Sequence, residues 1–156
     1  MSAASTRVRF KPERLELPGE LSAQVRPAQT VRGELQIPEN VSHVGWWDGS
    51  AFAGDPFGST VLAGHIDSAE QGLGIFTELL HLEIGDVLTL SSETAEVRYR
   101  VTSTALVDKD VLASDTDTFD QTGKHRLVLI TCWGRWRPDV HSYESNFVVV
   151  AEPVAP

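Results

Sequence analysis

Apolar residues gather in short runs along this chain, and the runs end on Gly, Pro, Asp or Ser. The clearest are Ser59–Ala63 (STVLA), Asp86–Leu90 (DVLTL), Ala95–Val107 (AEVRYRVTSTALV), His125–Cys132 (HRLVLITC) and Asn146–Ala151 (NFVVVA). Their Val, Ile, Leu and Thr content predicts β-strands, because branched side chains pack well on a pleated surface. Arg14–Leu17 and Glu34–Ile37 are shorter candidates, each stopped by a proline (Pro18, Pro38) that cannot donate to a ladder. One segment carries a helical period instead. Gly72–Leu82 puts Ile75, Leu79 and Leu82 on one face with Leu80 beside it, and Gly85 closes it. A further short turn fits Leu21–Arg26. Many short strands with few helices predict a mainly β, closed or nearly closed barrel with one or two short helices. Residues 1–11 read as a flexible N-terminal arm, and residues 12–156 as a single domain.

The longest stretch without a pattern runs from Asp108 to Lys124 and carries Asp108, Asp110, Asp115, Asp117 and Asp120. Loops of this length in compact domains are often functional. The alternation of Asp115 and Asp117 hints at calcium, but the glycine and distal glutamate of an EF-hand loop are missing. A solvated acidic loop is the plainer reading, and no metal or cofactor is assigned.

Composition narrows the function classes. The 156 residues suffice for one domain with its own core, and 41% apolar with 22% charged residues is ordinary for a globular protein. A net charge of -9 speaks against nucleic acid, which requires a basic footprint. There is also no polybasic patch for an anionic membrane surface. No run approaches the roughly 18–20 apolar residues of a membrane span, and Met1 leads into a polar segment with no signal-peptide core. A cytosolic protein would look like this, and so would an extracellular domain whose anchor lies before residue 1. A single cysteine excludes an intramolecular disulfide and a cysteine-based zinc site.

That lone cysteine, Cys132, ends the apolar run LVLITC and is followed by Trp133 and Gly134. It is either a small buried hydrophobe or a nucleophile. A side chain where a strand meets a loop can face a cleft on a fixed backbone, and a glycine two residues on lets the chain turn. The run STVLA likewise gives way to Gly64-His65-Ile66-Asp67. A histidine beside a thiol can take its proton or hold the thiolate as an ion pair, which matters because a free thiol, with a pKa of about 8.5, is mostly un-ionised at neutral pH. The alternative for His65 is a hydrogen bond to a backbone group. His43, His81 and His125 lack such a setting, and His141 is notable only for its nearness to Cys132 in sequence.

VLAGHID resembles the histidine motif of sortases, and LVLITC resembles their nucleophile strand with its Thr-Cys ending. The flank GELQIPENVSHVGWWDGSAFAGDPFGSTVLAGHID is similar to the stretch before that histidine in actinobacterial sortases, above all those grouped as class F. Phe76–Val87, with its Gly85-Asp86 turn, and the tail HSYESNFVVVAE continue the likeness, which keeps its order over roughly residues 12–152. The resemblance implies an eight-stranded sortase-type β-barrel as a catalytic domain over 12–156. It implies a cysteine transpeptidase of Gram-positive cell surfaces. In that chemistry the thiolate attacks the Thr-Gly bond of an LPXTG-like sorting-signal peptide on a surface protein. A thioacyl intermediate forms, and an amine acceptor on a cell-wall precursor or pilin resolves it. His65 would act as acid and then base, with a bell-shaped pH profile. The protein would be a monomer, held to the membrane by an N-terminal anchor, with no cofactor.

One position departs from the family. Sortases place an arginine on the last strand, and in class F-like members it follows the cysteine by twelve positions in a Tyr-Arg-Asp-Asn run. Here that run is Tyr143-Glu144-Ser145-Asn146, so Glu144 stands where the arginine should be. A carboxylate opposes the negative charge that develops there. Arg135 or Arg137 is a candidate substitute. Otherwise the enzyme is impaired, or the chain is a degenerate peptide-binding module. Thr131 and the tryptophans Trp133 and Trp136 are candidate lining of the peptide groove, although a strand threonine and core aromatics are the plainer readings. Asp67 either holds His65 or caps the loop. Other wall cysteine enzymes fit less well: papain-like hydrolases place cysteine before histidine, and ITCWG lacks the Ser-x-Gly-Cys run of L,D-transpeptidases.

Overall fold

The computed structural model describes residues 9–31, 34–38, 40, 42–68, 72–108, 121–137 and 142–154. Side chains are described for these except 34–35, 67–68, 72–73, 132–137 and 142–144. In chain order the strands are β1 Arg14–Leu17, β2 Leu21–Ala28, β3 Thr30–Val31, β4 Glu34–Leu35, β5 His43–Trp47, β6 Ser59–Gly64, β7 Asp67–Ser68 and β8 Gly72–Leu73. A 3₁₀ helix over Ile75–His81 follows, then β9 Val87–Ser91, β10 Glu96–Asp108, β11 Arg126–Arg137 and β12 Ser142–Pro153. Eight of them close a barrel in the order β1-β2-β5-β6-β11-β12-β10-β9. The barrel expectation therefore holds. Closure also removes the free edges on which sheets aggregate.

Most neighbours in the barrel run antiparallel, but β2–β5 and β6–β11 are parallel. Parallel neighbours need a long crossover, and such strands are commonly covered on both faces. The β6 sequence STVLAG fits this, since every one of its residues is buried. Leu62, Leu127, Leu129 and Val149 face the main core inside the barrel, among Leu15, Val44, Trp46, Leu88, Leu90 and Tyr99. Their alternating neighbours Val61, Ala63, Val128, Ile130 and Val148 form a second cluster on the other face of the same strands, partly covered by Ile37, Trp47 and Val107. Each fully buried Val, Leu or Ile contributes roughly 1.5–3 kcal/mol. Burial on both faces thus holds β6 and the Leu127–Thr131 stretch of β11 firmly.

Two local readings need correction. Leu21–Arg26 is part of a strand, not a turn, because Ala23 and Val25 alternate into the core while Ser22, Gln24 and Arg26 are exposed. Gly72–Leu82 is not one helix: Gly72 and Leu73 belong to β8, and the helix that starts at Ile75 is 3₁₀. The tighter winding buries Phe76 and Leu79 fully and leaves Ile75 only partly covered. The strand β5 was not foreseen, since a glycine and two tryptophans in HVGWW do not show strand alternation. Gly45 is required by close approach: a Cβ there would lie 2.9 Å from Pro38 Cδ and 3.0 Å from Ala28 Cβ. Before β1, the Phe10 backbone exchanges hydrogen bonds with Ala53 at 3.0 Å in both directions, and its ring is buried.

Candidate active site

Because β6 and β11 are parallel, the C-terminal end of β6 comes to lie beside Thr131; β11 continues past it to Arg137, so Cys132 stands within the strand and not where it gives way to a loop. The register runs Leu62↔Leu129, Ala63↔Ile130 and Gly64↔Thr131. One residue beyond the last pair stand His65, just past the end of β6, and Cys132, within β11. The two motifs are 67 residues apart in sequence, yet the ladder brings both to the C-terminal end of β6. His65 is half-buried.

The pair is held from below. Thr131 is 1% exposed, and its Oγ1 donates to the Gly64 carbonyl at 2.8 Å. That hydroxyl is committed to joining β11 to β6. Gly64 is tight for a second reason. A Cβ on it would lie 2.8 Å from Phe76 Cδ2, so the absence of a side chain lets the 3₁₀ helix pack directly under the residue that precedes His65. Thr77 Oγ1 donates to the Gly74 carbonyl at 2.8 Å, and Gly74 N–H donates to the Ile66 carbonyl at 2.7 Å. The short helix is thereby tied to the loop that carries His65.

On its other side β11 pairs with β12. Ile130↔Val148, Thr131↔Phe147, Cys132↔Asn146 and Trp133↔Ser145 are in register, and the ladder shifts between Trp133 and Trp136 before resuming at Trp136↔Tyr143. Glu144 lies on β12 inside that irregular stretch, two residues before the partner of Cys132. The backbone thus brings Cys132, His65 and the Glu144 segment to one end of three adjacent strands. The assignments made for the side chains of Cys132, Trp133, Arg135, Trp136, Arg137, Glu144 and Asp67 lie outside the described side chains. His141, Asp115 and Asp117 lie outside the described residues altogether.

Sequence reasoning passed over two residues. Asn146 served only as a landmark before the final valines, yet it is the cross-strand partner of Cys132. His125 is 3% exposed at the opposite end of β11; its Nδ1 lies 2.9 Å from the Gly58 carbonyl and its Nε2 2.8 Å from the Tyr99 hydroxyl. The carbonyl only accepts, so Nδ1 carries the proton and donates, and Nε2 accepts from the Tyr99 O–H. This histidine is a core residue, and its charged neighbour at the head of the strand was no guide to that.

The chain matches the sortase domain family model over residues 20–154 and belongs to the sortase family. Sortases are cysteine transpeptidases. Solved structures carry the same fold: sortase C-1 from Actinomyces oris superposes with a TM-score of 0.68 at 23% identity, covering 90% of this chain and 72% of that one. Sortase C1 from Streptococcus suis gives 0.68 at 19% identity, covering 94% and 74%. Sortase A from Listeria monocytogenes gives 0.66 at 20% identity, covering 93% and 88%. Comparison with curated protein sequences returned no match.

Proposed function

We propose that this chain is a cell-surface transpeptidase of Gram-positive bacteria in which Cys132 is the nucleophile and His65 its acid-base partner. The observation that supports this most strongly is the parallel register of β6 and β11, whose last pair, Gly64↔Thr131, immediately precedes the two motif residues in sequence. The Cys132 thiolate attacks the Thr-Gly carbonyl of an LPXTG-like signal. His65 protonates the leaving amine, and an amine of the cell wall or a pilin displaces the thioester. The catalytic unit spans residues 12–156, works as a monomer without a cofactor, and is anchored by a segment N-terminal to it. The flanking residues favour kinship with the class F-like actinobacterial members. Arg135 or Arg137 takes the place of the arginine that Glu144 replaces, and Trp133 and Trp136 line the peptide groove.

A second reading is favoured by Glu144 itself. A carboxylate at the position of the arginine suits a degenerate module that binds peptides and turns them over weakly or not at all. A fluorogenic LPXTG-type peptide separates the two. Cleavage that disappears in Cys132→Ala supports the enzyme. No cleavage across a range of pH and sorting sequences leaves the binding module.

A further inference from the structure

We infer that Asn146 is a catalytic residue that donates a hydrogen bond to the oxyanion formed when Cys132 attacks its substrate; this rests on the transpeptidase reading above. Ile130 and Val148 are direct partners across β11 and β12, and both pack in the cluster on the outer face of the sheet. Two residues further along each strand, Cys132 and Asn146 are partners in the same ladder. The two-residue period of a strand returns position 146 to the face of Val148, and the ladder makes it the direct cross-strand neighbour of position 132. An amide donor at the ladder position paired with the nucleophile suits an oxyanion formed there.

The chemistry of the surroundings points to the same residue. Asn146 is half-buried, so its hydrogen bond is only partly screened by water. Among the described residues, none takes a hydrogen bond from its carboxamide. Glu144, when ionised, only accepts hydrogen bonds and repels an oxyanion, whereas the carboxamide offers two N–H donors without a charge. In the step concerned, the Cys132 sulfur pair forms the S–C bond and the carbonyl π pair moves onto oxygen. That oxyanion accepts the Asn146 Nδ2–H. Collapse re-forms the carbonyl, breaks the C–N bond and releases the amine with a proton from His65. The donor matters most where charge has developed on oxygen, so it acts on the adduct and not on the free thiol.

The test uses a sorting-peptide aldehyde, which forms a reversible tetrahedral hemithioacetal with the cysteine, alongside iodoacetamide, which alkylates the thiolate and makes no oxyanion. Asn146→Ala should weaken the aldehyde adduct roughly 100-fold and leave the alkylation rate of Cys132 within about twofold. Asn146→Asp, of the same shape but without the amide donors, should weaken it at least as much at neutral pH. An Asn146→Ala adduct as tight as wild type overturns the inference, and so does a parallel fall in adduct and alkylation, which would mark a packing role. If wild-type protein is alkylated at Cys132 but forms no aldehyde adduct, the transpeptidase reading itself fails and takes this inference with it.

Discussion

Thr131 Oγ1 donates to the Gly64 carbonyl at 2.8 Å, and this buried bond joins the last paired residues of two parallel strands immediately before His65 and Cys132. Replacing Thr131 by Val keeps the shape and removes the donor. The loss should cost about 1–2 kcal/mol, seen as a lower melting temperature. The larger effect should fall on peptide cleavage, because the two strand ends lose the bond that fixes their spacing, and Thr131→Ser should restore both. A Val variant that melts and cleaves like wild type would show the bond to be incidental.

Gly64 and Phe76 make the second constraint under the site. A methyl group at Gly64 would sit 2.8 Å from Phe76 Cδ2, and Phe76 is fully buried in the core. Gly64→Ala should therefore destabilise the protein by about 1–3 kcal/mol and displace the 3₁₀ helix or the His65 loop. Gly64→Ala combined with Phe76→Leu should recover part of the stability. Denaturant unfolding of the single and double variants checks this, and additive losses would refute a direct clash.

The buried Tyr99 hydroxyl and His125 Nε2 are 2.8 Å apart, at the other end of β11 from the proposed site. Tyr99→Phe removes a donor to a buried ring nitrogen and should cost about 1–3 kcal/mol. A loss of this size lowers the melting temperature by roughly 2–4 °C per kcal/mol in a domain of this size. Cleavage measured well below the melting range should stay near wild type. A matching fall in kcat would instead tie this network to the reacting end of the barrel.

Glu144 decides between the two proposed functions. With Arg135 or Arg137 as the working substitute, Glu144→Arg should leave turnover unchanged or lower it. Arg135→Ala, Arg137→Ala or the pair should then lose roughly 100- to 1000-fold in kcat/KM. A clear rise in turnover for Glu144→Arg would mean that the positive group had been lost and not replaced. Steady-state cleavage of one sorting peptide by all four variants supplies the answer.

The sequence by itself showed the strands with uninterrupted apolar content, such as β6 and the first half of β11, and it singled out His65, just past the end of β6, and Cys132, within β11. It did so because burial on both faces leaves an apolar run that local composition reveals. It also located Glu144, since a motif departure is visible wherever its flanks match. Segments whose state depends on their neighbours were not legible. Leu21–Ala28 is a strand because β1 and β5 flank it, Gly72–Leu73 pairs with Asp67–Ser68, and Gly45 is needed only because Pro38 and Ala28 approach it. The pairing of Cys132 with Asn146 and that of Thr131 with Gly64 are matters of register. Register is set by barrel closure and by which strands run parallel, and both involve residues far apart in sequence. The chain names its chemical groups in its motifs; their placement at one end of the barrel follows from the parallel β6–β11 ladder.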